Sequence, residues 1–338
     1  PGWLAGALLD DDRPPVPSDL LEPLVDMQML DVVGVERTGG YRYQFHEIIR
    51  VYAREQLAAQ DTPELRREAL VRMAGGWMYL AQEAHRKLYG GDFTVLHGDA
   101  PRWAPPPVLH RGAAHRSAGV VRRGAGRAVR MVEQAADEGL HDVSWNLATT
   151  LVTLFEVRGH YDLWGADPCA GAGRVRKAGN LRGTAAVRAS LGSLYMSRNE
   201  FDMARQALSS ALDVFQALDE PQGEALCLRD MALIARTNGE DDMALELYDR
   251  SLADFDRAGD VVGRAIVLTQ SAHIRMRRGD TDTAQAQLDE ALEIYDGVGY
   301  LAAGRGPAPG GATAAGAGRA GSRGAYVHGG PGAVPGFR

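Results

Sequence analysis

Only two cysteines, Cys169 and Cys227, occur in the 338 residues. That excludes a disulfide framework and points to a reducing, cytoplasmic setting. No window approaches the roughly 18 consecutive apolar residues of a membrane span. The leader PGWLAGALLDDDRPP lacks the basic start of a signal peptide, so no membrane partner is expected. No CxxC or HExxH is present, and the nine histidines show no metal-ligand spacing. The GxxxxGK[ST] phosphate loop is missing too, and no nucleophile–base or carboxylate pair stands out. No metal site, bound cofactor or enzyme activity is therefore expected of this chain. It opens at Pro1 without a methionine, which reads as a fragment.

Hydrophobic content of 45% and charged content of 24% belong to a soluble globular protein long enough for two or more domains. A net charge of −7 argues against a chain that coats nucleic acid. Near the N-terminus, Leu20–Leu30 reads as a helix with Ser18 or Asp19 as its cap and Pro23 in the first turn. Leu30–Glu36 and Tyr41–Phe45 flank Arg37-Thr38-Gly39-Gly40, a hairpin signal. Helix, hairpin and helix in this order make a winged-helix-like unit over residues 1–60. Such a unit can read DNA, but Leu20–Leu30 carries Glu22, Asp26 and Gln28 and neither Arg nor Lys. Phosphate contact needs cations, so this helix is not expected to bind DNA.

Tyr41, Tyr43 and Phe45 follow the two-residue period of a strand, and the period changes at His46 to the helical spacing of Ile49, Tyr52, Ala53 and Leu57. His46 thus sits where a strand becomes a helix. Unpaired backbone donors at a helix start attract anions, so a histidine there can help hold a phosphate. The competing reading is a structural histidine that caps the turn.

Residues 61–142 form a helical linker region, with Pro63–Tyr89 its long helix and Gly75-Gly76 an expected weak point. Trp77 and Tyr79 read as core. Inside this region, 101–130 holds seven arginines and no acid, without a sustained period, and reads as a disordered basic stretch. Residues 301–338 hold twelve glycines, ten alanines and no acid, and read as a disordered tail. Ala/Gly/Pro/Arg excess is also what a GC-rich gene yields out of register. Frame-shifted translation is therefore the reading offered for both stretches, and for GADPCAGAG at 165–173.

Residues 143–300 repeat with a period of 40. Gly183, Gly223 and Gly263 share a column, as do Ala204, Ala244 and Ala284, Leu208, Tyr248 and Leu288, Leu212, Leu252 and Leu292, and Phe215, Phe255 and Tyr295. Each unit reads as a helix, a turn at Asn199, Gly239 or Gly279, and a second helix. The small residues Gly192, Ala232 and Ala272 are expected to face Ala204, Ala244 and Ala284 at a tight crossing. Ala211, Ser251 and Ala291 are expected to repeat the device one helix pair further on. A fourth unit upstream begins with Trp145, Leu151 and Phe155 and is interrupted at 165–173.

The columns resemble the tetratricopeptide repeat, lengthened from its usual 34 residues to 40. The resemblance implies a groove lined by the first helices that holds a protein or peptide ligand, with Arg229, Arg236 and His273 pointing into it. The order of YRYQFHEIIRVYARE at 41–55, WMYLAQEA at 77–84, and repeats with joints at 177–183, 217–223 and 257–263 is similar to the C-terminal half of actinobacterial antibiotic-regulatory proteins. Those are signal-transduction ATPases of the NB-ARC (STAND) type. The resemblance implies that Phe45-His46-Glu47 stands at a Met-His-Asp-like motif whose histidine contacts the β-phosphate of ADP. Phe replaces Met and Glu replaces Asp. ADP or ATP with magnesium, DNA binding through a missing N-terminal domain, and homo-oligomerisation are implied for a full-length parent only.

The sequence therefore leads to a mainly α chain: a winged-helix-like α/β unit, then an α-solenoid of tetratricopeptide-like hairpins. The function expected is part of a nucleotide-switched transcriptional regulator whose array senses a signal or partner. The alternative is a free-standing repeat scaffold that binds a peptide.

Overall fold

The computed structural model describes residues 4–9, 17–35, 41–89, 95–104, 128, 130–156 and 180–298. Most of 101–130 and all of 165–173 and 301–338 lie outside these residues, as does the turn at Arg37–Gly40. The chain divides into two units, residues 1–85 with 95–190 and residues 86–94 with 191–338.

The first unit begins with helices α1 (Leu4–Leu9) and α2 (Pro17–Asp26). α2 starts earlier and ends earlier than the sequence suggested. Pro17 takes the first helical position, where its fixed φ suits the helix and its missing N–H costs nothing. Ser18 and Asp19 therefore lie inside the helix. The helix closes at Gln28, whose φ is 57°, with the Met29 N–H bonded to the Leu24 carbonyl at 2.8 Å.

Strands β1 (Leu30–Val35) and β2 (Tyr41–Phe45) pair antiparallel, with Leu30 opposite Phe45, Val32 opposite Tyr43 and Val35 opposite Tyr41. The register shifts between Val32 and Gly34. One extra residue there returns Val35 to the face of Leu30 and Val32, so one face carries six apolar or aromatic side chains. Helix α3 (Glu47–Gln60) follows, and none of its residues is buried.

Helix α4 (Pro63–Tyr89) runs unbroken through Gly75-Gly76, with Ala74, Trp77, Met78, Leu80 and Ala81 buried. Gly75 has a packing reason. A Cβ there would stand 2.7 Å from the Pro101 carbonyl oxygen and 2.8 Å from the Trp103 nitrogen. The segment 95–104 thus lays its backbone against α4, with Arg102 and Trp103 half-buried and Pro101 and Ala104 exposed. Arg72 of α4 donates from Nε to the Ala7 carbonyl at 2.9 Å and from a terminal nitrogen to the Leu8 carbonyl at 3.1 Å, closing the exposed end of α1.

Arg102 links this segment to its supports. It donates to Gln82 Oε1 at 3.0 Å and to Asn146 Oδ1 at 3.2 Å, Asn146 lying on helix α5 (His141–Glu156). Helix α6 (Leu181–Ser197) starts in this unit and carries the division after Ser190. Asn180 caps it by accepting from the Gly183 N–H at 2.7 Å, and its amide donates to Asp142 Oδ1 at 2.6 Å.

The second unit continues with α7 (Phe201–Ala217), α8 (Pro221–Thr237), α9 (Asp241–Ala258), α10 (Val261–Arg277) and α11 (Thr281–Gly297). The 40-residue period is written into the backbone. Asn199, Gly239 and Gly279 adopt φ of 61°, 80° and 83° between first and second helices. Gly139, Asp219 and Gly259, at 70°, 52° and 72°, mark the joints before a first helix in the same way. Gly139 extends the period upstream to the turn before α5. Such left-handed turns favour Gly, with Asn and Asp tolerated through their short polar side chains.

The packing columns hold with two adjustments. Ala204, Ala244 and Ala284 are fully buried, as are Phe215 and Phe255. At Gly192, however, the residue that a Cβ would strike is Leu208, 2.6 Å away, because the larger column lies over the glycine. Ser251 donates to the Ala225 carbonyl at 2.9 Å, and Ala291 packs with Ala265. That column therefore closes its own hairpin rather than the next pair. Toward α11, Leu292 is 41% exposed and Leu288 and Tyr295 are half-buried, since among the described residues no further helix covers them.

Alanine is about 1 kcal/mol better than glycine within a helix. At Gly75 that gain is opposed by two backbone atoms that cannot rotate away. Gly75→Ala is expected to lower the stability of the first unit and to speed proteolysis at 95–104. Urea unfolding and limited digestion will measure both.

Candidate functional site

Two places carry the expected functional residues: the helix start at His46 and the first-helix face of the repeats. His46 occupies the N-cap of α3 with φ −52° and ψ 146°, and its side chain makes no capping bond. Its Nε2 instead lies 3.2 Å from Asp31 Oδ2 on β1, with both side chains half exposed. The ring is thus held by the neighbouring strand, not by the turn it was expected to cap. Glu47 adds a second carboxylate at the first helical position, 3.6 Å from Arg50. A phosphate placed here would find the α3 backbone donors and one imidazole, next to two acids.

On the repeats, the residues at first-helix positions 229, 233, 236, 269, 273 and 276 are partly or fully accessible in every case. The Arg229 side chain, at the first of the three expected groove positions, is largely enclosed. It binds Asp230 Oδ1 through Nε at 2.9 Å and a terminal nitrogen at 2.8 Å, with both side chains largely buried. Asp230 also accepts from Ser193 Oγ of α6 at 3.0 Å through its other oxygen. Arg229 is therefore anchored, and through Ser193 it is Asp230 that fastens α8 to the preceding hairpin. Arg236 is half-buried on the same helix, seven residues on. His273 stands half-buried in the next hairpin.

Both arginines act on Tyr248 of α9. Burial pushes the Tyr248 phenol up to about 12, with Arg236 and then Arg229 pulling against it. The ring is fully buried and its hydroxyl has no hydrogen-bond partner. It is a neutral donor at physiological pH. Cys227, completely buried on the same helix, has its thiol pushed well above the usual range by burial and is not reactive.

Sequence reasoning named Arg229, Arg236 and His273 but missed Asp230, Ser193 and Tyr248, which decide what those residues can do. It also missed a segregation of charge. The first helices α6, α8 and α10 carry seven arginines, at 182, 188, 229, 236, 264, 275 and 277, and two carboxylates, at 224 and 230. The second helices α7, α9 and α11 carry thirteen carboxylates and three arginines. Some of this charge pairs across repeats: Arg277 reaches Asp241 at 2.7 Å and Arg278 reaches Asp242 at 2.6 Å. Such exposed pairs contribute little each. Arg264 and Arg275 are also engaged, with Glu290 and Asp256, and with Asp280 and Asp249.

Among the described residues, no group of three His, Cys, Asp or Glu could hold a metal ion, and no helix is long and apolar enough to cross a membrane.

The tetratricopeptide repeat family pattern matches residues 183–257. That span starts at the glycine under Trp145 and ends within α9. Among curated proteins, the Regulatory protein AfsR of Streptomyces griseus is 43% identical over 81 residues, which is 24% of this chain and 8% of that protein. The chain thus spans a small part of this relative's length. Solved structures similar to it include BtubC of P. vanneervenii, with TM-score 0.44 and 18% identity over 63% of this chain and 90% of that one. A signal-transduction ATPase with numerous domains and a tetratricopeptide repeat sensor, from Pyrococcus horikoshii, has TM-score 0.42 and 13% identity over 90% of this chain and 44% of that one. The match over residues 183–257 is to the tetratricopeptide repeat, a fold that commonly binds protein partners.

Removing Arg229 would leave Asp230 buried and uncompensated. Arg229→Ala is expected to cost about 3 kcal/mol, while Arg236→Ala changes stability by less than about 0.5 kcal/mol. Paired urea titrations distinguish the two roles.

Proposed function

We propose that this chain supplies the winged-helix and repeat-sensor portion of a nucleotide-switched transcriptional regulator of the NB-ARC type. The observation that carries this reading is the 43% identity to a stretch of a Streptomyces regulatory protein, in a chain that also places a histidine at a strand-to-helix junction ahead of the repeats. In this reading the array binds a signal or partner protein, and binding releases the winged helix from ADP so that the regulator oligomerises. The nucleotide itself, with magnesium, is held by a phosphate loop outside this chain.

The fit of His46 to that role is partial. It offers one donor at a helix start, and Asp31 now engages its Nε2. A phosphate would compete with Asp31 for the ring and would need its remaining charge met by the nucleotide-binding domain. Asp31 also favours a second reading, a free-standing repeat scaffold, because it gives His46 a partner without any nucleotide.

The two readings separate in the longest product of the gene. His46→Ala is expected to accelerate release of fluorescent ADP by roughly tenfold, the loss of about 1.4 kcal/mol of binding. Unchanged release, or no ADP binding by the parent product, would contradict the switch and leave the scaffold.

A further inference from the structure

We infer that the first-helix face of α6, α8 and α10 takes an acidic peptide segment, with a ligand carboxylate on Arg236 and apolar ligand side chains beside it. This rests on the reading that the array binds its partner on that face, and it adds the partner's chemistry.

The argument starts from the columns that line the face. Ser193, Met196, Leu226, Leu233, Thr269 and Met276 contribute no charge, and the same rows add Arg229, Arg236, His273 and Arg277. The rows hold no carboxylate. The neighbouring Asp230 is only 7% exposed and is consumed by Arg229 and Ser193. A cation on this face that lacks a carboxylate partner selects against basic ligands and attracts acidic ones.

Arg236 is the residue available to meet them. Arg264 and Arg277 are neutralised by carboxylates of the second helices, Arg275 by Asp249 and by the α11 cap Asp280, and Arg229 is tied down by Asp230. Among the described residues Arg236 has no carboxylate partner. Met196 and Met276 share the repeat position of Arg236, 40 residues before and after it, and Met276 is 51% exposed. A charged group flanked by adaptable thioethers suits an acidic residue between apolar ones.

The test uses the full chain and a phage-displayed library of random twelve-residue peptides, screened in parallel against the chain and its Arg236→Glu variant. Thermal unfolding first confirms that the variant retains the parent's transition. The expected result is enrichment of peptides bearing Asp or Glu beside apolar residues. One such peptide, synthesised, should bind at least tenfold more weakly to Arg236→Glu and weaken with added salt. Its Glu-to-Lys counterpart should fail to bind the parent and recover binding to the variant. Enrichment of peptides irrespective of charge, with equal affinity for the variant, overturns the acidic assignment and leaves the groove reading standing. No enrichment from the library overturns both.

Discussion

An aromatic ring seated on a glycine sets the spacing of this array. The Phe215 ring lies where a Cβ of Gly223 would be, at 2.6 Å, and Phe255 does the same over Gly263 at 2.4 Å. Trp145 covers Gly183 at 2.5 Å. In the two phenylalanine joints, a second helix delivers its ring eight residues before the glycine of the next first helix. The left-handed turn between them, at Asp219 or Gly259, lets the chain reverse within that distance. Anything larger than hydrogen at the glycine would push the ring out of a fully buried position. The eight-residue step across each phenylalanine joint is therefore a packing constraint.

That constraint explains which parts of the fold were legible in sequence. Glycine, alanine and phenylalanine columns recur because each hairpin must make the same joint, so repetition exposes them without any alignment. The αL turns at Asn199, Gly239 and Gly279 were visible for the same reason. What remained hidden was decided across elements. Gly192 lies under Leu208, and Ser251 bonds within its own hairpin, because helix crossing geometry cannot be read from spacing alone. Gly75 looked like a weakness in α4, yet it is where the 95–104 backbone docks. No local pattern announces a contact with a segment 26 residues away.

The candidate site shows the same division. First-helix positions were assigned by register, and the structure keeps Arg229, Arg236 and His273 on first helices. Their chemistry depended on neighbours that register does not reveal. Asp230 follows Arg229 directly and holds it, while Ser193 arrives from the previous repeat. At His46 the strand-to-helix junction was foreseen, but its partner Asp31 comes from the opposite strand of the hairpin. Leu20–Leu30 likewise ended early, because Pro17 starts the helix sooner and Leu30 belongs to β1.

The claim on which the account rests is that ring and glycine are coupled rather than merely adjacent. A double-mutant cycle of Gly263→Ala and Phe255→Leu, followed by urea unfolding, tests it most directly. A Cβ at Gly263 clashes only if the ring is present, so the double variant should be more stable than the sum of the single losses predicts, by about 1 kcal/mol or more. Losses that add within about 0.3 kcal/mol would show that the ring does not set the joint, and would contradict the packing origin assigned to it.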